Sequence, residues 1–298
     1  MGSHFELIVV AGSAKEGDHF LDKSIAEIQR IEALLTEFSP RSQTSQINAS
    51  GFKEPVTVSP EVYGLIARSL HISSITQGAF DITVGPLKKL YDFGKGAAQH
   101  LPSPAAIRRQ LQSVGYQNIR CLPPDKVSLA KPGMRLSFAA IGKGYAADAV
   151  KRMLLPEGVA SGVINASGDL CAWGTQPDGR PWKIGITHPV HKEKMIAAFD
   201  AAQGLAVATS GNYEQYFELG GRRYSHNIDP RSGRPALYLS SVSVASPSAE
   251  LSDALATAVT IMGIEPGLHL ISQLAGVHAV IVDENHHLHY SKDIVLVR

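Results

Sequence analysis

The feature that most constrains this chain is a change of texture at Gly158. Before it, apolar residues recur mainly at helical spacing; after it, short apolar runs follow one another between Gly, Pro and Asp. Residues 5–10 read as a buried strand. Residues 16–38 place Leu21, Ile25, Ile28, Ile31 and Leu35 at helical spacing, and a polar loop is expected from there through Asn48. Ser59-Pro60-Glu61 is a helix start, with a capping hydroxyl, a first-turn proline and an acid. Val62, Ile66 and Leu70 give that helix its apolar face. Gly85-Pro86 reads as a breaker. Ser103-Pro104 opens another helix, with Ile107, Leu111 and Val114 inward and Gly115 as its stop. A hairpin of 127–130 with 134–138 and a helix over 139–155 lead up to Gly158.

Beyond Gly158, residues 159–165, 182–186, 195–199, 205–209, 216–219 and 241–245 read as strands. Ser248 caps a helix over 249–262 that stops at Gly263, and a further helix covers 266–274. Strands over 279–282 and 294–297 close the chain, with a turn at 283–285. Helices and strands alternate irregularly, so a regular parallel array is excluded and a mixed α+β fold is expected. Of 298 residues 44% are hydrophobic and 18% charged, enough for one large core or two smaller ones. No linker or repeat divides residues 1–298, which are read as one unit with room for two intertwined lobes.

Charge and cysteine content narrow the function classes. A net charge of +1 implies no polyanion, so no nucleic-acid partner is expected. Cys121 and Cys171 do not make a disulfide framework. No apolar run is long enough to span a membrane. Met1-Gly2-Ser3-His4 leads almost directly into a strand with no secretory signal. The expectation is a cytoplasmic protein, or a periplasmic or membrane-anchored one whose signal is missing from this sequence. Gly2-Ser3-His4 by itself also reads as a cloning scar.

Five stretches bear on chemistry. In Tyr224-Ser225-His226-Asn227-Ile228-Asp229-Pro230, the imidazole and the carboxylate sit three residues apart. Pro230 restrains Asp229 to extended shapes, so the pair belongs to a stiffened loop at a strand end. Such a pair serves as a base with its orienting partner, or as a surface His beside an Asp-Pro turn. Asp253 and Thr257, four apart on one helical face, either hold a hard cation such as magnesium or bond each other locally. Gly142-Lys143-Gly144-x-x-Ala147 is a glycine-rich helix start that either cradles a phosphate or lets a helix pack tightly. The turn Asn165-Ala166-Ser167-Gly168-Asp169 adds a carboxylate at a sheet edge. His286, His287 and His289 read as an exposed hairpin or a zinc or nickel site. The chain lacks both the G-x-S-x-G of hydrolases and the phosphate-binding G-x4-G-K-[ST] loop.

Taken in order, these blocks resemble the ApbE-type FAD:protein FMN transferases. The resemblance runs nearly end to end. Its early blocks are Met1-Gly2-Ser3, Phe38-Ser39-Pro40-Arg41-Ser42, Gly78-Ala79-Phe80-Asp81 with Val84-Gly85-Pro86, and Ile141 through Asp148. Its later ones are Asn165 through Asp169, Thr209-Ser210-Gly211-Asn212-Tyr213, Ser225 through Gly233, and Ser252 through Thr257. The first match argues that the N-terminal residues are native. The resemblance implies an active-site cleft between two lobes and a magnesium-dependent enzyme, with manganese as the other candidate ion. It splits FAD, moves FMN to a Thr or Ser hydroxyl of an acceptor flavoprotein, and releases AMP. It maps metal ligands to the Ala140 carbonyl, Asp253 and Thr257, and flavin contacts to Met1, Phe38, Ala79, Phe80, Asp81, Ser137, Lys143, Asn227 and Ile228. His226 is the implied base, with Asp229 beside it.

Three positions depart from the family pattern. Ser137 stands where many members have Asp, Ser167 replaces one glycine of N-x-G-G-D, and Ala256 sits where some members carry a second acid. Two rival readings stay in view: an FAD pyrophosphatase, the same site with water as acceptor, giving FMN and AMP, and a non-catalytic flavin-binding protein, which Ser137 and Ser167 make possible.

Overall fold

Serine side chains mark five of the helix starts. The computed structural model describes residues 3–91, 93, 101–188, 194–201, 204–211, 216–237, 239–292 and 294. The contact expected at Met1 and, but for Ile294, the strand expected over 294–297 lie outside them. β1 (Phe5–Val9) is followed by α1 (Ala14–Leu35), where the Ser13 hydroxyl accepts the Glu16 N–H and Phe20, Ile28, Ile31 and Leu35 are buried. Next come α2 (Gln43–Ser50), β2 (Val56–Thr57) and α3 (Pro60–Ile75). α4 (Gly85–Lys88) and α5 (Pro104–Leu111) precede the hairpin of β3 (Ile119–Leu122) and β4 (Lys126–Leu129). Ser42, Ser59 and Ser103 cap α2, α3 and α5 in the same way as Ser13.

α6 (Gly142–Leu154) leads into a strand-rich run: β5 (Gly162–Ala166), β6 (Asp169–Trp173), β7 (Lys183–Thr187), β8 (Met195–Asp200) and β9 (Leu205–Gly211). β10 (Tyr216–Leu219), β11 (Arg222–Ser225) and β12 (Leu239–Ser246) follow. α7 (Ala249–Met262), α8 (Ile264–Ile271), β13 (His278–Asp283) and β14 (Leu288–Tyr290) complete the described chain.

Seven strands make one antiparallel sheet in the order β1-β5-β6-β9-β12-β13-β14. Helices α6 and α7 pack on each other and across one face of it, with α1 laid on α6. The β7–β8 ribbon covers the other face, where Ile184, Ile186 and Phe199 meet Val163, Val207 and Val280. The first half builds a second core from α1, α2, α3 and the β2-β4-β3 sheet, and Ala254 and Ala258 of α7 close it. Thus α7 is shared by both halves. The expected mixed α+β fold is what forms.

Several local expectations are corrected. The polar loop ending at Asn48 contains α2, which carries one large buried apolar residue, Ile47, and therefore shows no helical period. Residues 134–138 are not the hairpin partner of β4; β3 is. They run extended and buried, with the Asn48 side chain in place of a neighbouring strand: Leu136 N–H donates to Asn48 Oδ1 at 2.6 Å, and Asn48 Nδ2 donates to the Leu136 carbonyl at 3.0 Å. Gly85-Pro86 starts α4 where a break was expected, because proline is tolerated in a first turn. β6 follows a two-residue turn in which Ser167 (φ 53°) and Gly168 (φ 100°) are both left-handed, as tight hairpins require. That conformation explains why a glycine suits position 167.

Candidate active site

The site grows from the contact between α6 and α7. Asp148 of α6 caps α7 from outside: its carboxylate accepts the N–H groups of Ala249 and Glu250, each at 3.0 Å, and the Ser248 hydroxyl at 2.7 Å. One turn earlier on α6, Gly144 presses directly on α7. A Cβ there would lie 2.1 Å from the Ala249 carbonyl oxygen, so only glycine permits this approach. The Gly144 N–H donates to Asp253 Oδ2 at 3.1 Å. The glycine-rich motif therefore serves helix-on-helix packing and fixes one oxygen of Asp253. Leu255, Ala258 and Val259 turn into the cores while Asp253 and Thr257 face a cleft.

That cleft, about 560 Å³, gathers residues from both halves of the chain. Ala140, Asp253 and Thr257 line it, as do Ser137, Lys143, Phe38, His226 and Asn227. Phe38 stands 92% exposed at its edge, an aromatic face available to a planar ring. Lys143 Nζ lies 2.6 Å from Asp169 Oδ2, with Asp169 itself only 2% exposed. Burial pushes the Asp169 carboxyl up, against the pull of Lys143 and of the Thr209 N–H.

His226 follows β11 at the start of a tight turn. Asn227 exchanges backbone contact with Ala236, whose N–H donates to the Asn227 carbonyl at 2.7 Å, and its Nδ2 donates to Ser210 Oγ at 3.2 Å. Gly233 (φ 69°) closes the turn, and Tyr91 OH donates to its carbonyl at 2.7 Å. Asp229 lies inside this turn and does not line the cleft. Its carboxylate accepts from the Arg231 N–H at 2.9 Å and Arg231 Nε at 2.8 Å. Ile228 is buried with Leu87 and Tyr91.

The Ala79-Phe80-Asp81 block also lies behind the cleft wall. Ala79 and Phe80 are buried in the first-half core. Asp81 accepts the Thr83 N–H and hydroxyl, each at 2.7 Å, and the Tyr116 N–H at 2.8 Å. Burial raises its pKa against those three donors. Among the histidines of the late turn, His287 and His289 both approach Asp283 Oδ2, at 3.3 and 3.1 Å. Among the described residues, no group of three or more His, Cys, Asp or Glu side chains converges to hold a metal, and no helix is long and apolar enough to cross a membrane.

Three charged cleft residues, Glu32, Glu37 and Lys88, escaped the sequence reading. Glu37 accepts the Ser137 hydroxyl at 2.8 Å, and Lys88, at the end of α4, lines the cleft beside it. Burial lowers the Lys88 pKa, and the carboxylates of Glu37 and Asp253 pull it back up. A signal existed: Lys88 falls three residues after Gly85, in a stretch taken as a breaker. Among the described lining residues, Glu32, Glu37, Asp169 and Asp253 face Lys88 and Lys143, four carboxylates against two ammonium groups. The Ala140 carbonyl, Asp253 and Thr257 offer only oxygen donors, which suits a hard ion such as Mg2+ that keeps waters or phosphate oxygens as its other ligands.

Several known proteins are similar to this chain along most of its length. The FAD:protein FMN transferase of Salmonella typhimurium is 32% identical over 278 residues, covering 91% of this chain and 79% of its own. One from Klebsiella pneumoniae is 34% identical over 275 residues, covering 90% and 82%. Among solved structures, the ApbE protein from Thermotoga maritima superposes with a TM-score of 0.89 at 30% identity, covering 98% of this chain and 94% of its own. The apo form of the Pseudomonas stutzeri flavinyl transferase ApbE gives 0.86 at 32% identity, covering 98% and 92%. The ApbE family model matches residues 1–281. With the match spanning both halves that meet at the cleft, this chain belongs to the ApbE family.

Proposed function

We propose that this transferase moves the FMN half of FAD onto a Thr or Ser hydroxyl of an acceptor flavoprotein, releasing AMP, with Mg2+ as its ion and Mn2+ as a substitute. One observation carries the reading: a single cleft brings Ala140, Asp253 and Thr257 together with Lys143 and His226. An alcohol is a poor nucleophile at neutral pH and needs a neighbouring base. Imidazoles titrate near about 6.5, which suits His226 to take that proton. The FMN-side phosphorus–oxygen bond to the acceptor forms as the bond to AMP breaks. Ala140, Asp253 and Thr257 would hold the ion, which neutralises charge on the phosphate oxygens. Lys143 adds its own charge to those oxygens, and Asp169 steadies its ammonium. Phe38 offers a stacking face to the flavin, while Ser137 and Asn227 meet its polar edge. Ala79, Phe80, Asp81 and Ile228 support the cleft wall from behind. Asp229 shapes the turn that presents His226, and Met1 completes the flavin contacts implied by the family resemblance.

The test combines the purified protein, FAD, Mg2+ and a flavoprotein domain that carries an attachment threonine. The expected result is flavin fluorescence that stays with the denatured acceptor, one AMP released per label, and loss of both on chelation with recovery in Mn2+. FMN and AMP formed at an equal rate with the acceptor absent would make the protein a pyrophosphatase. FAD bound without turnover would make it a binding protein.

A further inference from the structure

Lys88 is the cleft cation that neither the motif pattern nor the reading above uses. It sits at the last turn of α4, a helix anchored by the fully buried Leu87. It lines the same cleft as Glu37 and Asp253, whose negative charges reach its ammonium. Neither carboxylate is wholly its own: Glu37 also accepts the Ser137 hydroxyl at 2.8 Å, and Asp253 accepts the Gly144 N–H at 3.1 Å. The Ser137 hydroxyl ties Glu37 into the same cleft.

Resting on the function proposed above, we propose that Lys88 is a diphosphate-binding residue whose charge is shared with Asp253 and Glu37 until a divalent ion takes Asp253. A cation beside Asp253 must repel an incoming metal ion when no nucleotide is present. The same cation must attract a dinucleotide that carries two phosphate charges. Lys143, held by Asp169 at 2.6 Å, and Lys88, in the same cleft and within the electrostatic reach of Glu37, then supply two ammonium groups from one binding site.

The two ligands should therefore respond to loss of Lys88 with opposite sign. The experiment measures Mn2+ binding without nucleotide by electron paramagnetic resonance, and FAD binding in saturating Mn2+ by flavin fluorescence. It uses the full chain as wild type, Lys88→Met and Lys88→Arg. Lys88→Met keeps the stem and removes the charge. It is expected to bind Mn2+ several-fold more tightly and FAD roughly 10- to 100-fold more weakly, the loss typical of one charge-assisted hydrogen bond. Lys88→Arg is expected to restore most of the FAD affinity. Unchanged FAD affinity in Lys88→Met overturns the proposal while the functional reading stands. Weaker binding of both ligands also overturns it, since that is the mark of a damaged cleft. A wild-type protein that binds Mn2+ but no FAD removes the functional reading, and this inference with it.

Discussion

The two walls of the cleft are built by different means. The wall made by α6 and α7 uses the same contacts for folding and for placing its oxygens. Gly144 allows the helices to touch, and its N–H holds Asp253. Asp148 caps the helix that carries Asp253 and Thr257. The wall that carries His226 fastens its turn through residues on either side of the proposed base. Its turn is fastened by Tyr91, by Ser210 and by backbone pairing of Asn227 with Ala236, none of which passes through the imidazole contact with the cleft. The contrast teaches where damage should appear. Lesions in the helical wall should lower stability and ion affinity together, whereas lesions at His226 should lower the rate alone.

The largest effect is expected at His226. His226→Ala should slow FMN transfer by about 10²- to 10⁴-fold, the usual worth of a general base. Thermal unfolding and FAD affinity should stay as in wild type. A variant that labels the acceptor as fast as wild type would remove His226 as the base. One that also melts early would erase the contrast between the walls. Next comes Gly144→Ala. A methyl group 2.1 Å from the Ala249 carbonyl oxygen must push α6 and α7 apart, at a cost of about 3 kcal/mol. Urea unfolding should show that loss, and Mn2+ affinity should fall with it because Asp253 loses its Gly144 donor. Normal stability with normal Mn2+ binding would show that the helices have slack to yield.

The same contrast governs what could be read from the chain. The helical wall was legible because its signals are local. Ser248 and Gly263 bracket α7 where the structure places it, and the spacing of Asp253 and Thr257 puts both on one face. The caps at Ser59 and Ser103 were readable for the same reason. What remained hidden depends on distant partners. Residues 134–138 looked like a strand, and the partners that hold the run without a sheet neighbour are distant: the Asn48 amide, 88 residues from Leu136, and the Ile82 carbonyl, which accepts the Ser137 N–H at 2.8 Å. Glu37 and Ser137 are 100 residues apart, so nothing in either neighbourhood signals their hydrogen bond. Spacing also put Asp229 next to His226, but the turn closes on Arg231 and directs that carboxylate to its own backbone. The glycines of Gly142-Lys143-Gly144 suggested either a phosphate cradle or packing, and only coordinates reveal which partner Gly144 touches.

The smallest effect tests whether cap and ion site are truly one structure. Asp148 reaches across from α6 to satisfy two N–H groups that the first turn of α7 leaves without helical acceptors. Removing the carboxylate leaves those donors buried, since Asp148 and Ala249 are 7% and 0% exposed. Asp148→Ala should therefore cost about 1–2 kcal/mol in urea unfolding. Asp148→Asn, which keeps one acceptor oxygen, should cost about half of that. Asp253 lies one turn further along α7, so fraying of the first turn should also loosen its carboxylate and weaken Mn2+ binding in the same rank order. Ser210→Ala supplies the opposite case. It removes a fastening of the His226 turn, the Asn227 side-chain bond at 3.2 Å, and should leave Mn2+ affinity where it was. If the Asp148 variants lose stability while binding Mn2+ as wild type does, the cap and the ion site are separable, and the two walls differ less than their contacts imply.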